Sequence, residues 1–180
     1  MTTIVGRDEK VLREVAEEVP LSHISSKAIQ DIIVDMRHAL STQDDGVAIA
    51  APQIGVSKRI FVVSGRVVGY IKGEEDGEHV HPDLIYINPK IIKVSKERSW
   101  TEEGCLSIRY LYGKVRRANK VQIEAYDEHG KKFRKGAKGL MAQIYQHETD
   151  HLDGILFIDK AKDVEDLPPE KLESRSHKHV

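Results

Sequence analysis

The stretch QHETDHLDG, residues 146–154, sets two histidines four positions apart with a glutamate directly after the first. Just upstream, AKGLMAQIY puts Leu140, Met141, Ile144 and Tyr145 on one helical face, and Gly154 marks an end where a left-handed cap costs little. The spacing predicts a helix that runs into both histidines. Residues four apart on a helix lie one above the other, so the rings of His147 and His151 can reach one point in space and hold one metal ion. Glu148 projects about 100° round the helix from His147, beside a metal's water rather than in its ligand shell. That is the place for a general base. The competing reading is a solvated polar face, since a chain with nine histidines can meet this spacing by chance.

Outward from this helix the pattern changes period. KVQIEAYDEHGKKFRKG alternates apolar and polar residues on either side of Asp127-Glu128-His129-Gly130, which predicts a hairpin with a glycine at the bend. RIFVV, DLIYI and KIIKV are short and rich in β-branched residues, and predict strands, with Asn88-Pro89 as punctuation between the last two. SSKAIQDIIVDMRHAL carries a serine cap ahead of Ala28, Ile29, Ile32, Ile33, Met36 and Leu40, an apolar stripe that predicts a long amphipathic helix. RDEKVLREVAEEV is read as a short surface helix closed by Pro20. The glycine-rich, charged run from residue 64 to residue 83 is read as a hairpin or an irregular excursion. ILFI, residues 155–158, is read as the last core strand. Strands in the middle with helices at both ends imply an α+β fold, with antiparallel or mixed sheets around the histidine-bearing helix. Residues 1–160 are expected to form one catalytic domain, followed by a charged tail, 161–180.

Bulk properties narrow the function classes. The chain has 180 residues and a formal net charge of −1, which gives no global attraction to DNA or to an anionic membrane. No apolar run approaches the roughly 20 residues of a membrane span. MTTIVGRDEKVLREV lacks the basic, apolar and small-residue succession of a secretory signal, so a cytoplasmic location is expected. The single cysteine, Cys105, excludes an internal disulfide.

A catalytic metal of this type needs a third protein ligand and an open position. A third histidine three residues after Gly154 would complete one protease pattern, but that position is Phe157. Glu165, Glu170 and Glu173 lie in the charged segment around Pro168-Pro169, a poor setting for a buried ligand. Cys105, preceded by a glycine, offers a thiolate, a strong ligand for zinc or ferrous iron. Read alone, it is equally a small buried apolar group.

With Cys105 in view, three stretches in order resemble the motifs of the peptide deformylases. GVAIAAPQ, Gly46 to Gln53, is similar to that family's G-x-G-x-A-A-x-Q; Glu103 to Ser107 is E-G-C-L-S; Gln146 to His151 is Q-H-E-x-D-H. The resemblance runs from the first helix to about Phe157. Two positions depart from the pattern: Ala48 stands for the second glycine, and Arg109 follows Ser107-Ile108 where the family commonly has proline.

The resemblance implies an amide hydrolase that removes the formyl group from the N-terminal formylmethionine of new polypeptides and releases formate. It implies a metal held by Cys105, His147 and His151. Ferrous iron is the first choice, and zinc, nickel or cobalt fit the same donors. Glu148 would act as base and then acid, with the Gln53 side chain and the Leu106 backbone N–H stabilising the oxyanion. Gly46, Val47 and Ala48 would lie along an extended substrate, and Leu140 and Ile144 would line a methionine pocket. Glu103, Gln146 and Asp150 would fix ligand and loop geometry. Between Lys114 and Lys138, nine Lys and Arg residues against three acids suggest transient contact with the ribosome. The rival readings are a zinc endopeptidase, which lacks its third ligand, and a degenerate, non-catalytic formyl-peptide binder of the same fold.

Overall fold

The computed structural model describes residues 3–74 and 80–168. Among them are helices α1 (Lys27–Ser41), α2 (Gly65–Lys72) and α3 (Gly139–Leu152). The strands are β1 (Ala48–Ala50), β2 (Ile60–Val63), β3 (Leu84–Val94), β4 (Arg98–Cys105), β5 (Ile108–Ala118), β6 (Lys120–Tyr126), β7 (Lys132–Lys138) and β8 (Lys162–Asp166). One sheet has the order β1-β2-β3-β6-β7 and the other β4-β5-β8, and the strand pairs within each are antiparallel. The fold is α+β, as the residue pattern implies.

The five-stranded sheet is covered on both faces, which explains why β2 reads IFVV without a polar residue. Side chains alternate across a strand. Ile49, Ile60, Val62, Ile85 and Ile87 pack with Ile33, Met36 and Leu40 of α1. Ala48, Ala50, Phe61, Val63 and Tyr86 pack with Ala142, Ile144, Tyr145 and Leu152 of α3. The histidine-bearing helix is therefore fixed by its apolar face against the sheet, and the Tyr86 and Tyr145 hydroxyls meet at 2.7 Å in that interface. α1 begins where expected, with Ser26 Oγ accepting from Ile29 N.

Five expectations change. The segment from residue 7 to residue 19 forms only a 3-10 turn at Lys10–Arg13. Beyond it the backbone is taken by tertiary bonds: Ala16 N donates to Leu152 O at 2.9 Å, and Arg59 N donates to Glu17 O at 2.8 Å. DLIYI and KIIKV are one strand, β3. Asn88 turns through φ 49° within it instead of ending it, because its side chain donates to Val19 O and accepts from Val19 N. The run after residue 64 holds α2, capped by Ser64; residues 75–79 of that run lie outside the described residues. ILFI is no strand: Phe157–Asp159 form a 3-10 turn over the core. Among the described residues the last strand is β8, which pairs with β5 and carries the described fold past residue 160. The rest of the expected tail, 169–180, lies outside the described residues.

Candidate active site

α3 presents His147, Glu148 and His151 towards the tip of the β4–β5 hairpin, where Cys105 closes β4. One ligand atom from each of Cys105, His147 and His151 falls within 4.8 Å of the others, and Cys105 Sγ lies 3.2 Å from His151 Nε2. Metal–sulfur and metal–nitrogen bonds of about 2.3 and 2.1 Å at tetrahedral angles place such atoms about 3.5 Å apart. The residues fit one divalent ion.

The candidate ligands are held from behind. His147 Nδ1 lies 3.0 Å from Glu103 Oε2, so the ring's proton is fixed there and its Nε2 is left to face the thiol. Glu103 is itself buried and takes a two-pronged contact from Arg117, at 2.7 and 2.8 Å. Burial would raise the Glu103 carboxyl, but hydrogen bonds from Arg117 and His147 hold it down at about 2. Arg117 also donates to Asp150 at 2.6 Å, and Lys160 completes the chain to Asp150 at 2.7 Å.

Burial likewise pushes the Cys105 thiol up, and charge and hydrogen bonds from His151 and His147 outweigh it, bringing the thiol to about 5. Burial lowers His147, but its bonds to Cys105 and Glu103 leave it well above the usual range. Glu148 is raised by burial, only partly offset by the two histidines. Its Oε2 is buried with no hydrogen-bond partner among the described residues, as is His151 Nδ1.

Gln53 follows β1 on a 3-10 turn and is 2 % exposed. Its Oε1 accepts from Ala50 N at 2.8 Å, which turns the amide NH2 towards Cys105 Sγ and Ser107 Oγ, each at 3.4 Å. Gln53, Leu106, Cys105, His147 and Glu148 line one cleft of about 280 Å3, and Leu140 and Ile144 form part of its wall. Val47, just before β1, and Ala48, on β1, line it too, at the edge strand of the larger sheet. Gly46 N and Val47 O are engaged within the protein, by Gln43 O and Ser64 N. Main-chain groups alternate direction along an antiparallel strand, so those of Ala48 face away from β2.

Of the residues expected to position ligands, Glu103 touches one and Asp150 acts through Arg117. Gln146 touches none: its amide accepts from Ala118 N and donates to Ala118 O, at 2.9 and 3.0 Å, locking α3 to the end of β5. Arg117 was not singled out from the sequence. Its available signal is position: in the alternation of β5 it takes an inward place, where a charge needs a partner.

A family model described as polypeptide deformylase matches residues 1–166. A peptide deformylase of Fusobacterium nucleatum is 42 % identical over 152 residues, covering 84 % of this chain and 79 % of that protein. One from Pelotomaculum thermopropionicum is 40 % identical, covering 93 % of this chain and 96 % of its own. Among solved structures, the class I type b peptide deformylase of Acinetobacter baumannii with Met-Ala-Ser bound superposes with a TM-score of 0.76 at 30 % identity. That match covers 87 % of this chain and 96 % of that one. The chain belongs to the polypeptide deformylase family of metal-dependent hydrolases.

Proposed function

We propose that this chain removes the formyl group from N-terminal formylmethionine of newly made polypeptides, with Cys105, His147 and His151 holding one divalent ion and Glu148 moving the proton. One observation carries this reading: a buried carboxylate with an unpartnered oxygen stands between two histidines whose ligand atoms converge with a thiol. The bound ion supplies Lewis acidity that makes water a nucleophile near neutral pH. Ferrous iron is our choice of ion, and the thiolate donor suits it.

The residues divide the work. Glu148, raised by its burial, accepts the proton of the attacking water and returns it to the departing amine. The Gln53 amide, oriented by Ala50 N, and the Leu106 backbone N–H donate to the oxyanion. An extended peptide adds to the free edge of β1, with Ala48 as its main-chain partner and Gly46 and Val47 alongside. Leu140 and Ile144 receive the methionine side chain. The Met-Ala-Ser bound to the A. baumannii relative supports a peptide in this cleft.

Formate release from formyl-Met-Ala-Ser by protein loaded anaerobically with ferrous iron tests the reading, and loss of activity on exposure to air supports iron. A fully metallated protein that releases no formate contradicts it.

The basic run from Lys114 to Lys138 supports a weaker element, transient ribosome contact near emerging chains. Arg117 is buried, Lys132 and Arg134 pair with Glu124, and Lys114 pairs with Asp163, which leaves five exposed cations, Arg116, Lys120, Lys131, Lys135 and Lys138, to meet phosphate. Co-sedimentation that falls steeply with salt supports this contact, and none at low salt ends it. No helix among the described residues is long and apolar enough to cross a membrane.

A further inference from the structure

At the mouth of the cleft two walls are joined by a charged pair. Arg109, just past the β4–β5 turn, donates through Nη1 to both Asp45 carboxylate oxygens at 3.1 and 3.2 Å, and through Nη2 to Gln43 Oε1. Both Arg109 and Asp45 line the cleft that holds Cys105, His147 and Glu148. We infer that Arg109, set against Asp45, imposes a charge preference on the substrate residues that follow the formylmethionine, favouring acidic over basic side chains. The inference rests on the deformylase reading above.

Three observations carry it. The Asp45 loop has a fixed place: Arg66, on α2, donates to Gln43 O at 2.9 Å, to Asp44 O at 3.3 Å and to Gly46 O at 3.3 Å. Asp45 therefore stands directly before the segment that runs into β1. The other wall is fixed as well: Leu167 N donates to Tyr110 O at 2.7 Å, and Leu111 is in register with Asp166 of β8. Tyr110 itself is held at φ 67°, a left-handed conformation unusual for an aromatic residue and one that persists only where its surroundings enforce it.

The third observation is an asymmetry between the partners. The Arg109 side chain is 39 % exposed and that of Asp45 61 %. An exposed ion pair contributes little net stability, so exchanging a partner is cheap. A substrate carboxylate that replaces Asp45 returns the more exposed group to water, and the guanidinium still has unused N–H donors for it. A substrate lysine that takes Asp45 strands the less exposed Arg109 and brings two cations together.

The test compares kcat/KM on formyl-Met-Asp-Ser, formyl-Met-Lys-Ser, formyl-Met-Ala-Asp and formyl-Met-Ala-Lys. Each rate is expressed relative to the same protein's rate on formyl-Met-Ala-Ser. At low salt the parent should favour acid over lysine at one of the two positions by about two- to fivefold. Raising the salt should compress that ratio. Arg109→Glu should invert it, and Arg109→Lys should keep its sign. Equal normalised rates on acidic and basic peptides at both positions overturn the inference, as does a preference that survives in Arg109→Glu. The salt series on the parent stands even if the variants fail to fold. A parent that turns over no peptide, the neutral one included, overturns the deformylase reading and this inference with it.

Discussion

Glu103 Oε2 sits 3.0 Å from His147 Nδ1, so a buried carboxylate on one sheet orients the ring of a proposed metal ligand carried by a helix that packs on the other. The same carboxylate is gripped by Arg117. Ligand geometry and fold stability thus meet in one group. Glu103→Gln keeps the size but loses the charge that fixes the His147 proton, and should weaken metal binding about 10- to 100-fold in a chelator competition assay. Unchanged affinity would mean that packing alone orients the ring.

Arg117→Ala leaves Glu103 buried with only His147 to offset its charge. Breaking a buried pair from one side costs about 3–5 kcal/mol. Denaturant unfolding of the metal-free variant should show a loss of that order, whereas a loss below about 1 kcal/mol would mean that water reaches the carboxylate.

The Cys105 thiol should be a thiolate in the metal-free protein at neutral pH. Its burial acts against ionisation, but His151 and His147 overcome that and bring its value to about 5, below the usual thiol range of about 8.5. A lowered value means ionised above about pH 5 and protonated below it. Thiolate ultraviolet absorbance, followed from pH 4 to 9 on metal-free protein, should rise through a midpoint near 5. A midpoint near 8 would show that the histidines do not hold the thiolate.

Gln53→Ala removes a donor aimed into the cleft while leaving Cys105 and both histidines in place. Loss of one oxyanion donor costs about 100- to 1,000-fold in kcat. The variant should bind a full equivalent of metal and show that drop with little change in KM. A rise in KM alone would assign Gln53 to substrate binding.

Gly154, after α3, has φ 72°, and a Cβ there would meet Arg13 O at 2.7 Å. Gly154→Ala should destabilise the protein by more than about 1 kcal/mol, seen as a lower melting temperature. An unchanged melting temperature would mean the N-terminal segment moves aside freely.

What the sequence made legible follows from where each interaction is made. The meeting of His147 and His151 was readable because helical spacing alone brings them together, whereas Cys105 reaches them from β4, through a contact no local pattern contains. α1 and the β6–β7 hairpin were readable because each carries its own period, and β2 because it is a short run rich in β-branched residues. The first segment was not, because its helical pattern loses to bonds with Leu152 and Arg59, residues far along the chain. α2 was hidden by its glycines: a Cβ at Gly65 would fall 1.9 Å from His81 O, so close packing required a residue that reads as loop. The role of Arg117 depends on Glu103 and Asp150 lying across two other elements, which no local pattern contains. β8 reads as a charged tail since all five of its residues are exposed.

The most direct test of the central claim is formate release by Glu148→Ala, loaded with ferrous iron to the same stoichiometry as the parent. Positioned proton transfer contributes about 100- to 10,000-fold, and the variant should lose at least that much of the parent's kcat on formyl-Met-Ala-Ser while keeping its metal. A metallated variant that retains the parent's turnover would contradict the assignment of proton transfer to Glu148, and with it the account of how this site works.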